Sequence, residues 1–256
     1  MRPARLAVVL VAHGSRDPRA AQATEALARA VGDRNHAWDV RASYLDHNGV
    51  RPRQVLAAFD AAGHHHAIMV PLLLTAAYHG RVDVPGEITA ARADGVRMDV
   101  TLAPVLGPVD GHVPPQLLDG LVTRLGRSSD CDALVLAAAG TRSAEARETV
   151  EQAATALSVR LGLPCRVAYA SAAPPLSGDA VGALRAAGYE RIGLASYFLA
   201  PGLLWDATVA SARDAGVQVV AEPLTDTPAL VSLVASRVTA ALLRGARPAA
   251  RVLVRS

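Results

Sequence analysis

The chain has 256 residues, 51% of them hydrophobic, and a formal net charge of +3. This apolar content, without long polar low-complexity tracts, excludes a disordered chain and predicts a globular protein with a sizeable core of Ala, Val and Leu. All 26 basic side chains are arginines scattered along the chain and aromatics make up only 4%, which argues against a nucleic-acid partner and fits a polyanionic small molecule equally well.

The first apolar run, Leu6–Ala12, follows two arginines but is too short for a leader peptide and leads straight into a charged segment, so it reads as a buried strand. Asp17 is placed to cap the next helix, with Pro18 at its first position, and Ala23, Leu27, Ala30 and Val31 fall on one face. Strands are expected at Val40–Leu45, Ala67–Leu74 and Met98–Leu102, with amphipathic segments between them and a helix at Pro115–Leu125. A second series follows. It has strands near Ala133–Ala138, Arg166–Ala170, Ile192–Phe198 and Val217–Ala221, and helices near Ser143–Leu161, Leu176–Ala187, Leu203–Ala215 and Pro228–Leu243. Alternation of this kind is the pattern of parallel sheets covered by helices. No run approaches the roughly 18 apolar residues of a membrane span, so a cytoplasmic protein without a membrane partner is expected. The two cysteines, Cys131 and Cys165, have no CxxC spacing and read as reduced thiols.

The two series match residue by residue as well as in order. The segment 133–149 echoes 7–24 at its apolar run, with Gly140 and Arg142 answering Gly14 and Arg16, and 192–206 occupies the place of 68–83. An internal duplication follows. The expected architecture is α/β, with two tandem similar lobes, each a doubly wound parallel sheet flanked by helices, around a cleft. The lobes span residues 1–127 and 128–246, with a loosely ordered tail at 247–256. A duplicated chain can replace a dimer of single lobes, so a monomer or a homodimer is expected.

Ligand sites of parallel sheets lie at the carboxyl ends of strands. His13 follows the first strand and His79 the third. All eight histidines lie at or before His112, and Ala139 stands where the second lobe would carry a partner for His13. The imidazole function therefore belongs to the first lobe, against the alternatives of a backbone-satisfied His13 and a solvated His79. His64, His65 and His66 precede the third strand, at the opposite end of the sheet, and read as a solvated turn. GxGxxG, GxxxxGK[ST] and GxSxG are all absent, which removes the usual signatures of nucleotide binding and of a serine hydrolase.

The segments VAHGSRDPRA, YLDHNGVRP and VPLLLTAAYHGRVDVP resemble, in order and spacing, the signature segments of class II metal chelatases, specifically sirohydrochlorin chelatases, and SYFLAPGLLWD resembles the second lobe of their long members. The resemblance implies a lyase that inserts Fe2+ or Co2+ into sirohydrochlorin or a related acidic tetrapyrrole, for sirohaem or cobalamin formation. It implies His13 and His79 as the catalytic, metal-handling pair. Asp46 stands where relatives often carry a glutamate beside the metal path. The metal would be a substrate, with no permanently bound cofactor. Imidazole suits both needs of the reaction, because it ligates borderline first-row ions and accepts protons near neutrality. Carboxylates on the substrate call for backbone N–H groups and arginines. Gly14, Ser15 and Arg16 at a helix amino end, Arg51 with Arg53 after the second strand, and Arg142 in the second lobe are the candidates. A non-catalytic carrier of tetrapyrrole or metal is the alternative that a two-lobed cleft equally suits.

Overall fold

The computed structural model describes residues 5–47, 49–75, 82–127 and 130–245. His79 and the tail 247–256 lie outside the described residues. In chain order the elements are β1 Leu6–Ala12, α1 Pro18–Arg34, β2 Trp38–Tyr44, α2 Pro52–Ala61, β3 His66–Pro71, α3 Val84–Ala93, β4 Asp99–Leu102 and α4 Pro115–Leu125. The second half continues with β5 Ala133–Ala138, α5 Ala144–Leu161, β6 Cys165–Tyr169, α6 Ser177–Ala186, β7 Ile192–Tyr197, α7 Leu203–Asp214, β8 Val219–Val220 and α8 Pro228–Gly245.

These elements form two four-stranded sheets, ordered β2-β1-β3-β4 and β6-β5-β7-β8, with every strand pair parallel. In each half the first strand is central and covered on both faces, which is why LAVVLVA and ALVLAA carry no polar residue at all. Side-chain alternation along these strands assigns the faces. Val8 and Leu10 of β1, with Leu134 and Leu136 of β5, join a core continuous through both halves. Ala7, Val9 and Val11 face a core confined to the first half, and Ala133, Val135 and Ala137 one confined to the second. Helix starts follow from local chemistry. The Asp17 carboxylate accepts the Arg19 N–H at 2.9 Å ahead of Pro18, and the Ser143 hydroxyl accepts the Ala146 N–H at 3.3 Å.

The last helix of each half does not cover its own sheet. Helix α4 packs on β7 and α5 of the second half, whereas α8 packs on β3, β4 and α1 of the first, and the two exchanged helices pack on each other. Polar ties follow the same exchange. The Arg237 Nη2 of α8 donates to the Gly107 carbonyl at 3.1 Å, and the Arg124 Nη2 of α4 donates to the Leu224 carbonyl at 3.5 Å. Helix α8 buries Leu230, Val231, Leu233, Val234 and Val238. At about 2 kcal/mol for each large aliphatic side chain, this contact is worth on the order of 10 kcal/mol, as much as the net stability of a whole domain.

Candidate active site between the two halves

Strand order reverses between β1 and β3, which are hydrogen-bonded neighbours with Val11 opposite Pro71. The crevice beyond their carboxyl ends is where an open parallel sheet takes its ligand. His13 is the first residue past β1 and is exposed there. Its Nδ1 lies 3.2 Å from the Gly14 carbonyl oxygen. With the proton on Nδ1, the ring donates to that carbonyl and Nε2 carries the lone pair that can ligate a metal or take up a proton.

The backbone around His13 is tightly fixed. The Asp46 N–H donates to the His13 carbonyl at 2.9 Å, and the Leu45 N–H to the Ala12 carbonyl at 3.0 Å. Gly14 has φ +95°, and a β-carbon there would lie 1.8 Å from the Asp46 carbonyl oxygen, so only glycine allows the two loops to touch. The second half repeats the arrangement. Gly140 has φ +96° and would place a β-carbon 1.9 Å from the Ser171 carbonyl oxygen, while the Ser171 N–H donates to the Ala139 carbonyl at 3.2 Å. The duplicated geometry thus sets Ala139 opposite His13 and Ser171 opposite Asp46. The second half keeps the loop and lacks both the imidazole and the carboxylate.

Asp46 is well exposed, and its Oδ1 accepts the His47 N–H at 2.8 Å. That hydrogen bond, more than any other influence, holds its carboxyl below the ordinary carboxylate range, outweighing desolvation, which pushes the other way, with the nearby His47, His13 and Arg51 adding lesser contributions. A carboxylate ionised at neutral pH therefore lies within electrostatic reach of His13. Among the described residues no group of three His, Cys, Asp or Glu side chains converges as a metal cage.

The candidate anion-binding residues fall into two groups. Arg16 and Arg142 are exposed at matching strand ends, and neither guanidinium pairs with an acidic side chain among the described residues. Ser15 accepts the Asp17 N–H at 3.1 Å, shaping the turn into α1. Arg51 is occupied elsewhere. Its Nη2 and Nε reach Oε1 of the buried Glu87 at 2.7 and 3.1 Å, and the second Glu87 oxygen accepts the Arg53 N–H at 3.2 Å. This pair clamps α2 to α3.

A cavity of about 160 Å³ opens beside His13 and is lined from both halves, by Gly14, Thr24, Tyr44 and Leu72 on one side and Leu199 on the other. This volume holds one edge of a large ligand, since pockets that enclose a drug-sized molecule measure about 300–1,000 Å³. A larger, more open depression of about 570 Å³ lies between the 111–113 turn, α4 and α5, with His112, Glu148 and Glu151 in its lining. It shares no lining residue with the cavity beside His13. At the opposite end of the first sheet, His64 packs edge-on against Phe59 and His66 Nε2 lies 2.9 Å from the Thr101 hydroxyl, so those imidazoles are held within the fold.

One cross-cleft contact has no counterpart in the sequence reading. Arg19, in the first turn of α1, grips Asp17 and reaches Asp206, in the first turn of α7, at 2.5 Å. In the sequence Arg19 is one of many arginines and Asp206 one of many acidic residues. Nothing in linear sequence pairs residues so far apart.

Comparison with known proteins shows which fold this is. The family model CbiX matches residues 7–117 and again 133–241. The solved structure of SirB from Bacillus subtilis with Fe3+ aligns with a TM-score of 0.77 at 20% identity, covering 94% of this chain and 98% of that one. SirB from Bacillus subtilis subspecies spizizenii, a sirohydrochlorin chelatase in complex with cobalt, aligns with a TM-score of 0.74 at 17% identity, covering 92% of this chain and 94% of that one. DR2241 from Deinococcus radiodurans, a multi-domain protein with structural similarity to chelatases, aligns with a TM-score of 0.68 at 22% identity over 91% of this chain and 55% of that one. No curated protein matches the sequence. The shared fold is the two-lobed α/β arrangement described above.

Proposed function

Since the chain belongs to the CbiX family, we propose that it is a lyase inserting Fe2+ or Co2+ into sirohydrochlorin or a closely related acidic tetrapyrrole, serving sirohaem or cobalamin formation in the cytoplasm. The observation that carries this reading is the position of His13. It lies at the carboxyl end of β1, bordering a cavity lined from both halves, in a fold shared along nearly its whole length with SirB.

The reaction exchanges two pyrrole protons for one divalent ion, so the site must hold an incompletely hydrated metal, receive two protons and release the product. His13 and His79 supply neutral nitrogen to the ion and then accept protons, and the Asp46 carboxylate offsets the positive charge as the ion arrives. Two imidazoles and one carboxylate leave coordination positions open, which favours transfer over storage. The carboxylates on the ring meet Arg16 and Arg142, one from each half, together with the backbone at Gly14 and Ser15. Arg51 contributes by holding Glu87. Among the described residues no helix is long and apolar enough to cross a membrane. A single chain supplies both walls of the cleft, so one chain completes the site, whether it works as a monomer or within a homodimer.

Anaerobic incubation of sub-stoichiometric protein with sirohydrochlorin and either Fe2+ or Co2+, followed by absorbance, tests the proposal. Many equivalents of metallated product per chain are expected. A plateau at one equivalent identifies a carrier and overturns catalysis.

A further inference from the structure

The Arg19–Asp206 contact joins the amino ends of two helices from opposite halves, one residue away from Ala20, which lines the His13 cavity. Arg19 donates Nε to both Asp17 carboxylate oxygens at 3.1 Å, and its Nη1 and Nη2 reach the two Asp206 oxygens at 3.3 and 2.5 Å. The Asp17 side chain is only 8% exposed and is fixed as the α1 cap, so the guanidinium fork is aimed at Asp206 before the pair forms.

Directly ahead of Asp206 stand Leu203 and Leu204, which are 71% and 46% exposed. Single exposed leucines are common. These two are adjacent, belong to the same short segment as Leu199 and Ala200, which already line the His13 cavity, and open the helix that carries the cross-cleft ion pair. Spacing of three residues puts Leu203 on the same helix side as Asp206. The segment is anchored from beneath, because the Trp205 Nε1 donates to the Ser196 hydroxyl at 2.9 Å and that hydroxyl donates to the Ala221 carbonyl at 2.6 Å. A tetrapyrrole has flat apolar faces and a rim of carboxylates, and the cleft offers apolar surface here with Arg16 and Arg142 at the two strand ends.

We propose that Arg19 is a positioning residue: by pairing with Asp206 it holds Leu203 and Leu204 as an apolar wall beside His13, against which one face of the tetrapyrrole ring lies. This rests on the chelatase reading above and adds the surface that orients the ring.

The test uses the full chain and metal-free sirohydrochlorin, following ring binding by fluorescence quenching and metallation by steady-state kinetics. For Leu203→Ser/Leu204→Ser, both exposed and safe to truncate, ring Kd and KM rise about tenfold, with kcat and the metal KM unchanged. Asp206→Asn raises the ring KM about threefold and Asp206→Glu restores it. A purely structural ion pair would lower the melting temperature without separating KM from kcat. Ring binding within about twofold of wild type in the double leucine variant overturns the wall, and an unchanged ring KM in Asp206→Asn overturns the positioning role. Failure of the chelatase reading is distinguishable, because it appears in the wild-type protein as absence of both binding and turnover, and it removes this inference as well.

Discussion

The α-carbon of Gly14 and the carbonyl oxygen of Asp46 are so close that a β-carbon on the glycine would fall 1.8 Å from that oxygen. The contact fixes the His13 loop against the loop bearing Asp46, so the relative placement of two candidate site residues depends on a missing methyl group. Gly14→Ala therefore combines a steric overlap with a φ of +95°, and is expected to cost more than about 3 kcal/mol, read from the urea midpoint. Gly140→Ala is expected to cost as much at its own contact with Ser171. Kinetics measured where both variants are still folded separate them: kcat falls for Gly14→Ala, whereas Gly140→Ala, whose loop carries Arg142, keeps kcat near the wild-type value and raises the ring KM.

His13→Ala should lower metallation by about a hundredfold or more, the usual contribution of a general base or acid. Its melting temperature should change little, because the side chain is exposed at a strand end. Near-wild-type turnover would remove His13 from the chemistry.

Arg51 separates a structural role from a substrate role. Its partner Glu87 has a side chain only 8% exposed, so Arg51→Ala leaves a buried carboxylate short of its charged donor and should cost about 2 kcal/mol. The ring KM should stay unchanged. A raised KM with unaltered stability would assign Arg51 to the substrate instead.

The thiols should be inert in the folded protein. Cys131 is buried and Cys165 partly so, and both are free. Burial pushes the Cys165 thiol up to about 12 and raises Cys131 as well. Alkylation reacts through the thiolate, so at pH 8 iodoacetamide should label Cys165 about a thousandfold more slowly than an ordinary cysteine. Both should label at once in denaturant. Rapid labelling of the native protein would show that the thiols are accessible.

Local chemistry was readable where the responsible residues are neighbours in sequence. Leu6–Ala12, Ala133–Ala138 and Pro115–Leu125 form the expected elements with the expected ends, and Asp17 and Pro18 start α1 as their side chains predict. Strand β8 is shorter than its apolar run implied, Val219–Val220 within the expected 217–221, its ladder with β7 holding only Gly193 opposite Val219 and Leu194 opposite Val220. The Gly14 and Gly140 correspondence was legible as a repeat, and the reason for it, a backbone contact with a distant loop, was not. Destinations of α4 and α8 were hidden, since an apolar helix face fits either of two similar sheets. The pairing of Arg51 with Glu87 and of Arg19 with Asp206 was hidden too, because charge carries no address until the chain folds.

Trading final helices has a mechanical outcome for the proposed entry of a wide, flat molecule. The halves cannot swing apart like jaws without peeling α8 from β3 and β4 and dragging its leucines and valines into water. Entry must then depend on small excursions of the turns rimming the crevice, and the outline of the molecule, followed by small-angle scattering, should stay the same whether or not a guest is seated.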